Sequence, residues 1–81
     1  MTWSVFPNPN DGDFMIRYSG ENALVTLDVF DMTGRRVHDA RIAMNNGQLV
    51  PIAMQGKLAP GSYVLRLSTE NGRHEERIIV R

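Results

Sequence analysis

Turn-forming residues interrupt this chain at short, nearly even intervals, and that spacing constrains its fold more than any other feature. The clusters are Pro7-Asn8-Pro9-Asn10-Asp11-Gly12, Ser19-Gly20-Glu21-Asn22, Met32-Thr33-Gly34, Asn45-Asn46-Gly47, Leu58-Ala59-Pro60-Gly61 and Asn71-Gly72. Each mixes residues that tolerate positive φ, fix φ, or bond their own backbone. They recur about every 10–14 residues, which leaves room for strands and almost none for helices of ordinary length.

Between the turns, apolar residues alternate as strands require. Asp13–Tyr18 places Phe14, Ile16 and Tyr18 on one face, and Ala23–Asp31 does the same with Val25, Leu27 and Val29. Phe30 breaks that alternation and is expected to cover an edge. Arg36–Ala43 alternates less cleanly and reads as an edge strand. Gln48–Ala53 holds Pro51, which cannot donate to a ladder and also indicates an edge. Gly61–Thr69 lines up Tyr63, Leu65 and Leu67, and Arg73–Arg81 lines up Ile78 and Val80. With Trp3–Phe6 these make seven segments. The expected fold is all-β: a seven-stranded antiparallel immunoglobulin-like β-sandwich. The Cys pair and strand-C Trp of true immunoglobulin domains are missing, so only the architecture is implied.

Composition fits one small folded domain. The chain has 81 residues, 42% hydrophobic and 22% charged. A chain this short buries roughly 60–65% of its unfolded surface, so its core is thin. The absence of Cys removes disulfides and Cys-based zinc sites. Nine basic and nine acidic side chains cancel, which gives no electrostatic case for nucleic acid or an acidic membrane. No stretch approaches a membrane span, so direct membrane insertion is not expected. The N-terminus lacks a basic start followed by an apolar run.

The last hairpin admits a register count. An Asn71-Gly72 turn of type I′ makes Glu70 and Arg73 the closing pair. Tyr63 then faces Val80, Leu65 faces Ile78 and Leu67 faces Glu76, an apolar face expected in the core. The other face pairs Val64 with Ile79, Ser62 with Arg81 and Arg66 with Arg77. Two opposed arginines are mildly unfavourable, and Glu75, diagonal to Arg66, is expected to offset the clash. This face reads either as a solvated surface or as a recognition stripe of Arg66, Arg77, Arg81, Val64 and Ile79.

Catalytic signatures are nearly absent. His38 and His74 stand beside charged residues without a second ligand at metal spacing, and read as structural. There is no nucleophile elbow, P-loop or dinucleotide fingerprint. Asp11 and Asp13 flank Gly12, but Pro7, Pro9 and Tyr18 occupy positions where an EF-hand needs oxygen ligands, so a plain turn is expected. Trp3 and Tyr63 read as packing residues, with a sugar-stacking platform as the alternative. Neither an enzyme, a cofactor nor a metal site is expected.

Four short motifs carry more information in order than singly. Val5-Phe6-Pro7-Asn8-Pro9-Asn10-Asp11-Gly12 opens the chain. Val25-Thr-Leu-Asp-Val-Phe-Asp-Met-Thr-Gly-Arg35 follows, then Leu58-Ala-Pro-Gly-Ser-Tyr-Val-Leu-Arg-Leu67, then Arg77-Ile-Ile-Val-Arg81. This order closely resembles the type A C-terminal sorting domain of the type IX secretion system of Gram-negative bacteria, over about residues 4–81.

The resemblance implies that residues 1–81 are one C-terminal sorting domain cut from a larger secreted cargo. Such a domain directs its cargo through the periplasm and the outer-membrane translocon, and a surface sortase then removes it. Its partners are translocon and sortase components, and its location is secreted or cell-surface. Pro7 and Pro9 match the opening motif, Gly34 and Arg35 the middle one, and Gly61 and Tyr63 the third. Arg77 and Arg81 match the terminal basic positions, where the family often has Lys. Recognition is expected to involve Gly61, Tyr63, Arg66, Arg77, Ile79 and Arg81. The alternative is a structural immunoglobulin-like accessory or carbohydrate-binding module of an extracellular protein. Either way, a free sandwich exposes edge strands through which two copies can pair.

Overall fold

The structure is a computed structural model and describes residues 2–81. Seven strands form: β1 (Thr2–Phe6), β2 (Asp13–Ser19), β3 (Ala23–Asp31), β4 (Arg36–Met44), β5 (Leu49–Ala53), β6 (Gly61–Thr69) and β7 (Gly72–Val80). They make two antiparallel sheets, one ordered β1-β2-β5 and the other β4-β3-β6-β7. The sheets pack face to face as a sandwich, consistent with an immunoglobulin-like fold.

Alternation drives this packing. Val5, Phe14, Ile16 and Tyr18 point inward from the smaller sheet. Val25, Leu27, Val29, Leu65, Leu67, Ile78 and Val80 meet them from the larger one, all buried. Burying each such side chain contributes about 1.5–3 kcal/mol, which a thin core cannot spare. Both buried tyrosines satisfy their hydroxyls. Tyr18 donates to the Glu21 carbonyl, and Tyr63 donates to the Ala59 carbonyl at 2.6 Å.

Pro51 lies on an edge strand, as its missing donor requires. Tyr18 exchanges backbone bonds with Gly47 and Gln48, and Met54 donates to Gly12. Alternation therefore sends the bonding groups of Val50 and Ile52 toward β2 and the Pro51 nitrogen away from it. The β3–β4 ladder carries a bulge between Val29 and Phe30, and Val37 packs against the core beside it.

The last hairpin differs from the register expected for an Asn71-Gly72 turn. Thr69 pairs with Gly72, so Glu70 and Asn71 occupy the turn, and every pair shifts by two residues. Tyr63 faces Ile78, Leu65 faces Glu76 and Leu67 faces His74. On the outer face Ser62 meets Ile79, Val64 meets Arg77 and Arg66 meets Glu75. The cause is local. A type I′ turn needs positive φ at both central residues, yet among the described residues no non-glycine residue, Asn71 included, has one. The Thr69 hydroxyl instead accepts the Asn71 N–H at 3.2 Å and holds the turn one residue earlier.

Candidate functional site

The opening and terminal motifs meet at the free edge of β7. The Phe6–Pro7 and Asn8–Pro9 bonds are both cis. Asn8 donates from Nδ2 to the Arg77 carbonyl at 2.8 Å and accepts the Ile79 N–H on Oδ1 at 2.9 Å. Asn10 donates its N–H to the Ile79 carbonyl at 2.9 Å, and its carbonyl accepts the Arg81 N–H at 2.8 Å. A short parallel bridge links Asn10 with Val80. Asn8 bonds β7 through its side chain and Asn10 through its backbone, while Pro7 and Pro9 beside them have no N–H to donate.

This strap is itself held. Buried Asn10 donates to the Pro7 carbonyl and accepts the Gly12 N–H at 2.8 Å. Gly12 has φ 110°, and a Cβ there would lie 2.8 Å from the Met54 carbonyl oxygen. Only glycine fits that conformation and that gap. Asp11 and Asp13 brace the same loop through Gln55: Asp13 accepts its N–H at 2.9 Å and Asp11 its side-chain amide at 3.2 Å. Among the described residues no cluster of His, Asp and Glu is placed to hold a metal ion.

The outer face of β6–β7 presents the other expected residues. Arg77, Ile79 and Arg81 are exposed, with Ile79 41% accessible. Arg66 sits one row away, flanked across the sheet by Asp28 and Glu75. Its Nε lies 3.6 Å from Glu75, and its guanidinium carbon stands 4.7 Å over the Phe30 ring. The expected Arg66–Arg77 repulsion is thus replaced by an Arg66–Glu75 attraction. Gly61 pairs with Val80 at the mouth of the hairpin. Tyr63 is buried and points to the core, away from that face.

The middle motif closes the β3–β4 turn. Asp31 Oδ1 accepts from the Thr33 hydroxyl at 2.6 Å and from the Thr33 and Arg35 N–H groups at 3.0 Å each. The Thr33 hydroxyl is the main cause holding its carboxyl below the ordinary aspartate value of 3.8. Gly34, at φ 88°, donates to the Asp31 carbonyl, and Arg35 pairs with Asp31 at 3.4 Å. Gly34 and Arg35 therefore shape a turn at the same end of the larger sheet as the β7 strap but separated from it by β6, and they take no part in the strap.

Trp3 stacks on Tyr18, ring centres 4.6 Å apart. It lies in the smaller sheet and Tyr63 in the larger, so the two form no common platform. His74 pairs with Glu76 at 3.2 Å. Sequence reasoning singled out Pro7 and Pro9 but passed over Asn8 and Asn10; it placed Phe30 at an edge and Glu75 diagonal to Arg66, where the structure sets Phe30 beneath Arg66 and Glu75 directly opposite it. The asparagines were legible in principle, since they are the only hydrogen-bonding side chains between Phe6 and Asp11.

A family model described as a secretion system C-terminal sorting domain matches residues 4–81. The chain belongs to that family. No curated protein matches it. Membership makes it a C-terminal sorting signal of the type IX system, exported through the periplasm to the cell surface or beyond. It also implies interaction with that secretion machinery, and the family is in general non-catalytic.

Proposed function

We propose that the secretion machinery reads the outer face of the β6–β7 hairpin, through Arg77, Ile79 and Arg81 with Arg66 beside them. The observation that carries this reading is the exposed Ile79 flanked by two exposed arginines on the strand that the opening motif clamps. An exposed aliphatic side chain between guanidinium groups suits a receptor patch with an apolar centre and carboxylate rim. Gly61 and Tyr63 act indirectly, by setting the entry and seating of β6. Because the strap occupies the β7 edge, the receptor approaches the face instead of adding a strand there. The domain ends a larger secreted cargo, and a surface sortase removes it after passage.

The test fuses the chain to a periplasmic reporter in a host with a type IX system. Arg77→Glu with Arg81→Glu should abolish surface delivery while the purified domain keeps its melting temperature within a few degrees. Undiminished delivery by that variant would refute the reading.

A further inference from the structure

The sandwich has four sheet edges, and they are managed differently. The strap covers β7 from Arg77 to Arg81. β5 is five residues long with a proline at its centre, and β1 is also five residues long. The β4 edge has nine residues and no proline, and among the described residues nothing pairs with its outer side. A long open edge is a template for another strand.

The backbone of β4 fixes which groups are offered. Asp31 donates its N–H to the Arg35 carbonyl. Alternation from that bond points the peptide groups of Val29 and Leu27 toward β4. Ala40, opposite Leu27, therefore bonds inward, while Asp39 and Arg41 send their N–H and C=O groups outward.

The side chains at those two positions are uncompensated. Asp39 and Arg41 are exposed and have no ion-pair partner among the described residues. Asp39 also lies directly opposite Asp28, a like-charge pair. Asp28 is served by Arg36 at 3.4 Å, which leaves Asp39 the unsatisfied member.

We propose that β4 pairs antiparallel with β4 of a second copy of this chain, in the register centred on Ala40. In that register Asp39 of each copy faces Arg41 of the other. These are the residues whose peptide groups point outward, so each pair exchanges two backbone hydrogen bonds as well as meeting charge to charge. The small Ala40 side chains meet at the two-fold axis, where an antiparallel pair brings Cα atoms closest. The two four-stranded sheets become one continuous sheet. The β6–β7 face lies on the far side of each sheet and stays open, so the pairing stands or falls independently of the export reading.

The test is a charge exchange read by analytical ultracentrifugation across a concentration series reaching millimolar. The unaltered chain should show a concentration-dependent dimer. Asp39→Arg alone places Arg opposite Arg twice, and Arg41→Asp alone places Asp opposite Asp twice. Each should weaken self-association at least tenfold. Mixed in equal amounts, the two variants present complementary pairs at both positions and should form a heterodimer. Thermal melts of each variant separate loss of pairing from loss of fold, and Asp39→Arg removes the Asp28–Asp39 repulsion and should not lower the melting temperature. An unaltered chain that stays monomeric throughout overturns the proposal and leaves the edge to a different partner. A dimer insensitive to both single substitutions, or a mixture that stays monomeric, overturns the register.

Discussion

Asn8 grips Ile79 across almost the whole sequence, accepting its N–H at 2.9 Å while donating to the neighbouring Arg77 carbonyl at 2.8 Å. One amide side chain thus stands in for a residue of an adjacent strand. The family's first and last motifs are bonded to each other, which gives a physical reason for their joint occurrence in this chain. Asn8→Ala removes both bonds without touching the core. We expect a loss of about 1–2 kcal/mol and a selective rise in hydrogen exchange at Ile79. Unchanged protection of that amide would show that the strap does not hold β7.

Gly12 and Gly34 should respond differently to alanine. Both have positive φ, but a Cβ at Gly34 meets open space whereas one at Gly12 reaches the Met54 carbonyl. Gly34→Ala should cost about 1–2 kcal/mol, the strain of the left-handed backbone alone. Gly12→Ala should cost more than that, because the backbone of Met54 and Gln55 must also move. Urea unfolding of the two variants gives the comparison, and equal midpoints would contradict the close approach.

The observed register makes Arg66 and Glu75 partners. A double-mutant cycle on Arg66→Ala and Glu75→Ala should give a favourable coupling of about 0.2–1 kcal/mol. Arg66 with Arg77, a diagonal pair, should couple near zero. The opposite ranking would restore the register that an Asn71-Gly72 turn predicts.

Acid should loosen the β3–β4 turn. The folded state lowers the Asp31 pKa below 3.8, so its contribution is complete above the unfolded pKa. It is lost as pH falls through the lower, folded value. Carbon-detected NMR should place the Asp31 midpoint below 3.8, with the Thr33 and Arg35 amide shifts moving alongside. A midpoint at or above 3.8 would remove the turn's charge dependence.

The strands were legible because their apolar residues alternate and their turns are chemically explicit. Ala23–Asp31 and Gly61–Thr69 begin and end where the pattern places them. The inward set of the last hairpin survived a wrong register because the error was two residues, and side chains in a strand alternate with period two. The pairing itself was not legible, since Asn71-Gly72 is a strong signal for a turn that the Thr69 hydroxyl displaces by one residue. Phe30 was expected at an edge. It instead lies on the outer face of the larger sheet beneath Arg66, a contact that depends on the β3–β6 pairing. The strap was hidden for a related reason: Pro-Asn-Pro-Asn reads as a turn, and nothing local says that its amides face a strand about 70 residues later.

The central claim is that a surface, and not merely a stable fold, is recognised. The most direct measurement is the fraction of a fused reporter reaching the cell surface for Ile79→Asp, set beside Tyr63→Phe. Ile79 is exposed on the proposed face, whereas Tyr63→Phe removes only a buried hydroxyl bond and should cost about 1 kcal/mol of stability. We predict that Ile79→Asp loses delivery while melting normally, and that Tyr63→Phe delivers normally while melting lower. Delivery that follows melting temperature, with Ile79→Asp exported as well as the unaltered chain, would contradict it.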